Sequence, residues 1–205
     1  MHDPRLQLIR DALARRPGRR AGDAPGTPRA SVALVLRPAH AGLELLLIKR
    51  AEREGDPWSG HMALPGGRSD PQDPDEQATA VRETLEEVGI DLAGQGVALG
   101  SLDDLVPRGG APRIVVSPFV FGAPAGTVAT PNFEVDAAVW IPLRELAHPD
   151  AATEFLLEAV TGEGSPPRRF PAIGTRGYVI WGMTHRILDD FLALALPLAE
   201  PGGAE

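Results

Sequence analysis

The chain has 205 residues, a formal net charge of −8 and no cysteine. That length suits one well-buried domain with decorations, the missing cysteines exclude disulfides and thiolate chemistry, and the acidic balance argues against broad nucleic-acid binding. Mean hydropathy is −0.09, no apolar run approaches the roughly eighteen residues of a membrane span, and the N-terminus lacks an apolar signal core, so no membrane contact and a cytoplasmic location are expected.

In chain order, residues 3–16 read as a helix, with Asp3 as cap, Pro4 in the first turn and Leu6, Ile9 and Leu13 as an apolar stripe. Pro17 to Arg29 is rich in Gly, Pro and Arg and reads as a solvated linker. Ser31–Arg37 and Leu43–Arg50 read as strands joined by a short turn, and Val97–Leu105, Arg113–Phe121 and Ala137–Ile141 as further strands. Met183–Leu196 is an apolar helix able to cover a sheet, and Trp140 and Trp181 sit in apolar runs that read as core. Strands interspersed with long helices indicate an α/β sandwich around a mixed sheet. The expected organisation is an N-terminal helix and linker over 1–29, the main domain over 30–196, and a flexible tail over 197–205.

The segment from Leu64 to Leu92 carries the chemistry. It holds a Pro-Gly-Gly turn, a polar loop, and then a helix in which Glu83, Glu86 and Glu87 are spaced i, i+3, i+4 on one face. Like charges that close repel, and a multivalent cation would turn the repulsion into attraction; oxygen ligands suit magnesium or manganese. Ala78, Val81, Leu85 and Val88 form the expected apolar stripe. Asp73 or Asp75 can cap the helix start, Gly89 can end it, and Arg82 is an i, i+4 partner for Glu86. Gly66 and Gly67 allow a tight turn that brings carbonyls near a metal.

This segment resembles the Nudix hydrolase signature, G-x5-E-x7-R-E-U-x-E-E-x-G-U, with Gly67, Arg82, Glu83, Glu86, Glu87, Gly89 and Ile90 on its fixed positions. It departs in three ways. Asp73 replaces the first glutamate, Thr84 occupies an apolar position, and one extra residue lies between Asp73 and Arg82. GGRSDPQDPDEQATAVRE resembles the coenzyme A pyrophosphatase branch, as do GSLDDL with VVSPFV, EVDAAVWIPLREL and IWGMTHRIL further on. Trp58 stands where that branch usually carries His, and a different histidine, His61, follows it.

The resemblance implies a Nudix-type α/β/α sandwich and water attack on a diphosphate linked to another group. Divalent ions, Mg2+ or Mn2+, would neutralise the substrate and acidify the water. On that reading Glu83, Glu86, Glu87 and the Gly67 carbonyl hold metal. Glu83, Glu86 and Arg82 are catalytic, with Glu134 the outside candidate for general base. Asp70 and Asp73 are open between water-mediated metal binding and loop capping. Arg50 and Arg68 are candidate phosphate clamps, with Lys49, Arg108 and Arg113 behind them; His61 and Trp58 are candidate substrate contacts, Trp58 by stacking on a base. The expected substrate is coenzyme A or an acyl derivative. The alternatives are ADP-ribose or a nucleotide sugar, and a non-catalytic nucleotide-sensing module, which the retained glutamates disfavour. The expected partner is that small nucleotide diphosphate, with a homodimer left open.

Overall fold

Strand β1 (Arg29–Ala39) organises the sheet because its apolar run is buried on both faces, as suits a central strand. The computed structural model describes residues 3–22, 26–55, 58–107, 114–157 and 168–199. Along one edge β1 runs parallel to β6 (Val115–Gly122), which pairs in turn with β5 (Val97–Ser101). Along its other edge β1 pairs antiparallel with β2 (Gly42–Arg50), but only from Leu36–Ala39 against Gly42–Leu45. Beyond that the two strands part, and a short segment fills the gap. There β3 (Met62–Ala63) pairs with β2, and β4 (Gly66–Arg68) pairs with β1. β7 (Val135–Pro142) pairs with β2 on its outer edge. The Pro-Gly-Gly turn is therefore built into the middle of the sheet. Two backbone bonds anchor the insertion, Ala33 N–H to the Pro65 carbonyl at 2.8 Å and Arg50 N–H to the His61 carbonyl at 3.0 Å.

Side chains alternate across this sheet. Ala33, Val35, Leu46, Ile48, Phe119 and Phe121 face helix α2 (Glu76–Val88), together with Ala80 and Val88. Leu34, Leu36, Leu45, Leu47 and Val120 face the other way, towards α1 (Pro4–Arg15) and α4 (Gly182–Ala199). The result is the expected α/β/α sandwich around a mixed sheet. Asp3 caps α1, its side chain accepting from Arg5 N–H at 2.9 Å. α4 continues through Pro197 to Ala199; residues 200–205 lie outside the described residues.

Three features differ from the sequence expectations. First, α2 is turned so that Leu85 is 49% exposed while Thr84 is fully buried. Thr84 tolerates this because its hydroxyl donates to the Ala80 carbonyl at 2.7 Å. Second, residues 17–22 are not a loosely solvated linker. Arg19 forks onto Asp103 at 3.0 and 2.7 Å, Arg20 bonds the buried Asp104 at 2.7 Å, and Gly18 lies so close to the Leu102 carbonyl that no side chain would fit. Third, a short helix, α3 (Leu143–Leu146), leads into a second antiparallel sheet that the sequence did not announce. It comprises β8 (Ala152–Leu157), β9 (Arg168–Thr175) and β10 (Tyr178–Trp181).

Candidate active site

The carboxylates are set by the two ends of α2. Asp75 caps its start, accepting from Ala78 N–H at 2.8 Å, and Gly89 closes it in the left-handed conformation at φ 67°, its N–H reaching the Leu85 carbonyl at 3.0 Å. With the helix fixed, Glu87 points into the sheet and is 4% exposed. Its Oε2 accepts from Gly66 N–H at 2.9 Å, which joins the helix to the Pro-Gly-Gly turn. Burial pushes the Glu87 carboxyl up to about 7; the Gly66 bond and the charge of Arg50 oppose the shift, and the charges of Glu83 and Glu134 add to it. Burial also raises Glu83, against the pull of Arg82.

Gly67 is a cradle for Glu83. A Cβ there would lie 2.4 Å from the Glu83 carboxyl carbon, so only glycine lets the carboxylate rest against the β4 backbone. Gly66 is tighter still, at φ 152° and with backbone atoms of Ser31 and Val32 in the place of any side chain. Glu86 lies further out, its side chain 54% exposed against 16% for Glu83.

Arg82 knits these groups together. It donates to Glu83 at 2.9 Å, to Glu86 at 3.2 Å and to the Arg68 carbonyl at 3.2 Å. Its remaining N–H groups fork onto Asp73, Nε to Oδ1 and Nη2 to Oδ2, both at 3.0 Å. Asp73 also accepts from the Thr79 hydroxyl at 2.8 Å and from Asp70 N–H at 2.9 Å. Asp73 is thus a loop organiser and the anchor of Arg82, and Asp75 alone is the helix cap.

Among the described residues no three His, Asp or Glu side chains are gathered tightly enough to hold a cation as they stand. Arg82 compensates Glu83 and Glu86, and Glu87 is bonded to Gly66 instead. The donor chemistry nevertheless fits a hard divalent ion. Glu83, Glu86, Glu87 and the Gly67 carbonyl offer oxygen only, and burial, whose cost to a carboxylate a bound cation would offset, raises the Glu83 and Glu87 carboxyls.

The remaining candidates divide. Glu134 is partly exposed and pairs with Arg53 at 2.9 Å; its field still reaches Glu83 and Glu87. Arg50 acts on Glu87 through its charge, and the exposed Arg68 contributes its carbonyl. Lys49, a further candidate for clamping phosphate, pairs with Asp136 at 2.6 Å. Arg108 and Arg113 lie outside the described residues. Trp58 and His61 sit beside Trp181, with ring centroids 6.2 and 5.1 Å from it. Trp181 is buried, as expected, but its neighbours are aromatic, with Phe155 stacked on it at 4.1 Å. A hollow lined by Arg144, Glu145, His148 and Leu196 includes none of these residues. Sequence reasoning missed Arg53 and did not pair Asp73 with Arg82, because both contacts depend on loop conformation rather than helical spacing.

The NUDIX domain model matches residues 27–160 of this chain, and the chain belongs to that family. It is similar to an uncharacterised protein of Schizosaccharomyces pombe, 42% identical over 120 residues, covering 56% of this chain and 36% of that protein. It is also similar to the peroxisomal coenzyme A diphosphatase NUDT7 of Mus musculus, 31% identical over 135 residues, covering 62% of this chain and 54% of NUDT7. The chain thus spans about half or less of these relatives. Its fold matches the crystal structure of a NUDIX hydrolase from Alicyclobacillus acidocaldarius, with a TM-score of 0.52 at 19% identity, over 89% of this chain and all of that one.

Proposed function

We propose that this protein is a divalent-cation-dependent hydrolase of a nucleoside diphosphate linked to a second moiety, with coenzyme A or acyl-coenzyme A as substrate. The products would be 3′,5′-ADP and 4′-phosphopantetheine. The observation that carries the reading is the joint between α2 and the Gly66–Gly67 turn, where Glu87 is bonded to Gly66 and Glu83 rests on Gly67. A buried carboxylate facing another is costly unless a cation compensates it. The likeness to coenzyme A diphosphatase NUDT7 supports the substrate.

Glu83, Glu86, Glu87 and the Gly67 carbonyl would hold Mg2+ or Mn2+. Such an ion neutralises diphosphate charge and makes a water more acidic. Arg82, fixed by Asp73, keeps Glu83 and Glu86 in register. Water attacks one phosphorus, the bridging P–O bond breaks, and a carboxylate takes the water's proton. Glu134 is the candidate for that proton, since it lies outside the Arg82 cluster yet within the field of Glu83 and Glu87.

The second reading, hydrolysis of ADP-ribose or a nucleotide sugar, is favoured by Trp58 at the position where the coenzyme A branch usually has His. Steady-state assays of coenzyme A, ADP-ribose and UDP-glucose with Mg2+ and with Mn2+, products identified by mass, separate the two. Higher kcat/KM on coenzyme A supports the first reading, and higher kcat/KM on ADP-ribose replaces it with the second.

A further inference from the structure

The second sheet has one aromatic face. Phe155 and Phe170 are direct cross-strand partners, and Trp181 stands opposite Ala172, two residues from Phe170 and so on the same face. The small Ala172 leaves room for Trp181 to lie flat on Phe155, 4.1 Å between centroids and 12° between planes. His61 meets both rings edge-on, at 5.1 Å from Trp181 and 5.7 Å from Phe155. Trp58 completes the group 6.2 Å from His61 and is 53% exposed. On the far rim the Arg168 guanidinium lies 5.5 Å from the Phe170 centroid and makes no ion pair among the described residues.

This shelf is linked to the carboxylates through short stretches of chain and side-chain contacts. His61 is five residues from Gly66, at most about 18 Å at full extension. Ser59, next to Trp58, accepts from Arg53 N–H at 2.6 Å, and the Arg53 guanidinium holds Glu134. A half-exposed indole backed by aromatic rings, with a cation on the same sheet, suits a planar ring carrying phosphate. A flexible apolar chain would use neither the imidazole nor the cation.

We propose that Trp58, His61, Phe155 and Trp181 form a nucleobase shelf, on which the base of the substrate stacks against Trp58 while its diphosphate lies over the carboxylates. The inference rests on the diphosphate reading of those carboxylates, and its test does not require turnover. AMP and ribose 5-phosphate are titrated calorimetrically into the full chain and into Trp58→Phe and Trp58→Leu, both of which keep apolar bulk. Stacking on one aromatic ring predicts that Trp58→Leu weakens AMP binding roughly tenfold to a hundredfold and that Trp58→Phe restores most of it. Ribose 5-phosphate should bind all three alike. Equal AMP affinity in Trp58→Leu and the parent, an equal loss for ribose 5-phosphate, or no AMP binding by the parent would each overturn the shelf. Coenzyme A turnover, followed on the same samples, separates the two ideas. Ring-dependent AMP binding without any turnover would leave the shelf standing and remove coenzyme A as the substrate.

Discussion

Asp73 and Arg82 face each other through two hydrogen bonds of 3.0 Å, and through Arg82 this loop aspartate governs where Glu83 and Glu86 lie. The Arg82 guanidinium holds the Asp73 carboxyl far below the usual carboxylate range. A depressed carboxylate contributes stability that is fully present above its unfolded value, about 3.9, and is lost as pH falls below it. Asp73→Asn should therefore cost about 1.5–3 kcal/mol at pH 7, nearer the lower figure because Arg82 is partly solvated. Urea unfolding should show the gap between parent and variant narrowing below about pH 4. A gap that stays constant with pH would mean that the pair does not act through charge.

Gly66→Ala and Gly67→Ala should behave differently although the residues are adjacent. At Gly66 a Cβ meets the Ser31 carbonyl oxygen at 2.2 Å, and the φ of 152° is already strained for other residues; that variant should lose stability outright. At Gly67 the Cβ meets only the end of the Glu83 side chain. That variant should keep its unfolding midpoint and lose on the order of a hundredfold in kcat as Glu83 is displaced. Melting curves and initial rates on both proteins decide it.

Raised carboxyls give the cation-free protein a pH signature. Glu87 sits at about 7 in the folded chain, well above its unfolded value near 4.3. A raised group contributes stability that is fully present below the unfolded value and is lost as pH rises through the folded one. With EDTA present, stability should fall between about pH 4.5 and pH 7.5, by up to the order of 3 kcal/mol. Glu87→Gln should flatten that profile, and added Mg2+ or Mn2+ should restore stability at the alkaline end. A flat parent profile would contradict the burial of an ionisable group at this position.

The orientation of α2 can be checked by cavity formation. Leu46→Ala, on the sheet face under α2, should cost about 2–5 kcal/mol, whereas Leu85→Ala should cost about 0.5 kcal/mol because half of its surface is already in water. Equal losses would show that the helix packs through Leu85 after all.

The contrast between Leu46 and Leu85 also shows what was legible in the chain. The helix, its Gly89 end and the placing of Glu83, Glu86 and Glu87 within two turns follow from local spacing, and local spacing is what a sequence displays; the choice of Asp75 over Asp73 as cap and the burial of Glu87 do not. The packing face was misjudged because hydropathy favours Leu85 over Thr84, while the back-bonded hydroxyl makes Thr84 acceptable in the interior. Strands β8 and β9 were missed because Glu154, Arg168 and Arg169 break up their apolar pattern; Arg169 and Glu154 answer each other across the strands at 2.7 Å. The aromatic shelf depends on that unread pairing, so Trp181 could be seen as interior but not as Phe155's neighbour. The N-terminal arginines looked solvated because Asp103 and Asp104, which hold Arg19 and Arg20, lie more than eighty residues away.

The most direct measurement compares coenzyme A hydrolysis by the parent chain with that by a folded Glu86→Gln, Glu87→Gln double variant, each with Mg2+, with Mn2+ and with EDTA. If these carboxylates bring a divalent cation to the diphosphate, the parent releases 3′,5′-ADP and 4′-phosphopantetheine only when an ion is present. The variant should then lose at least the roughly 10²–10⁴-fold in kcat that one catalytic group supplies. Turnover by the variant at the parent's rate, or by the parent in EDTA, would contradict the assignment of the site.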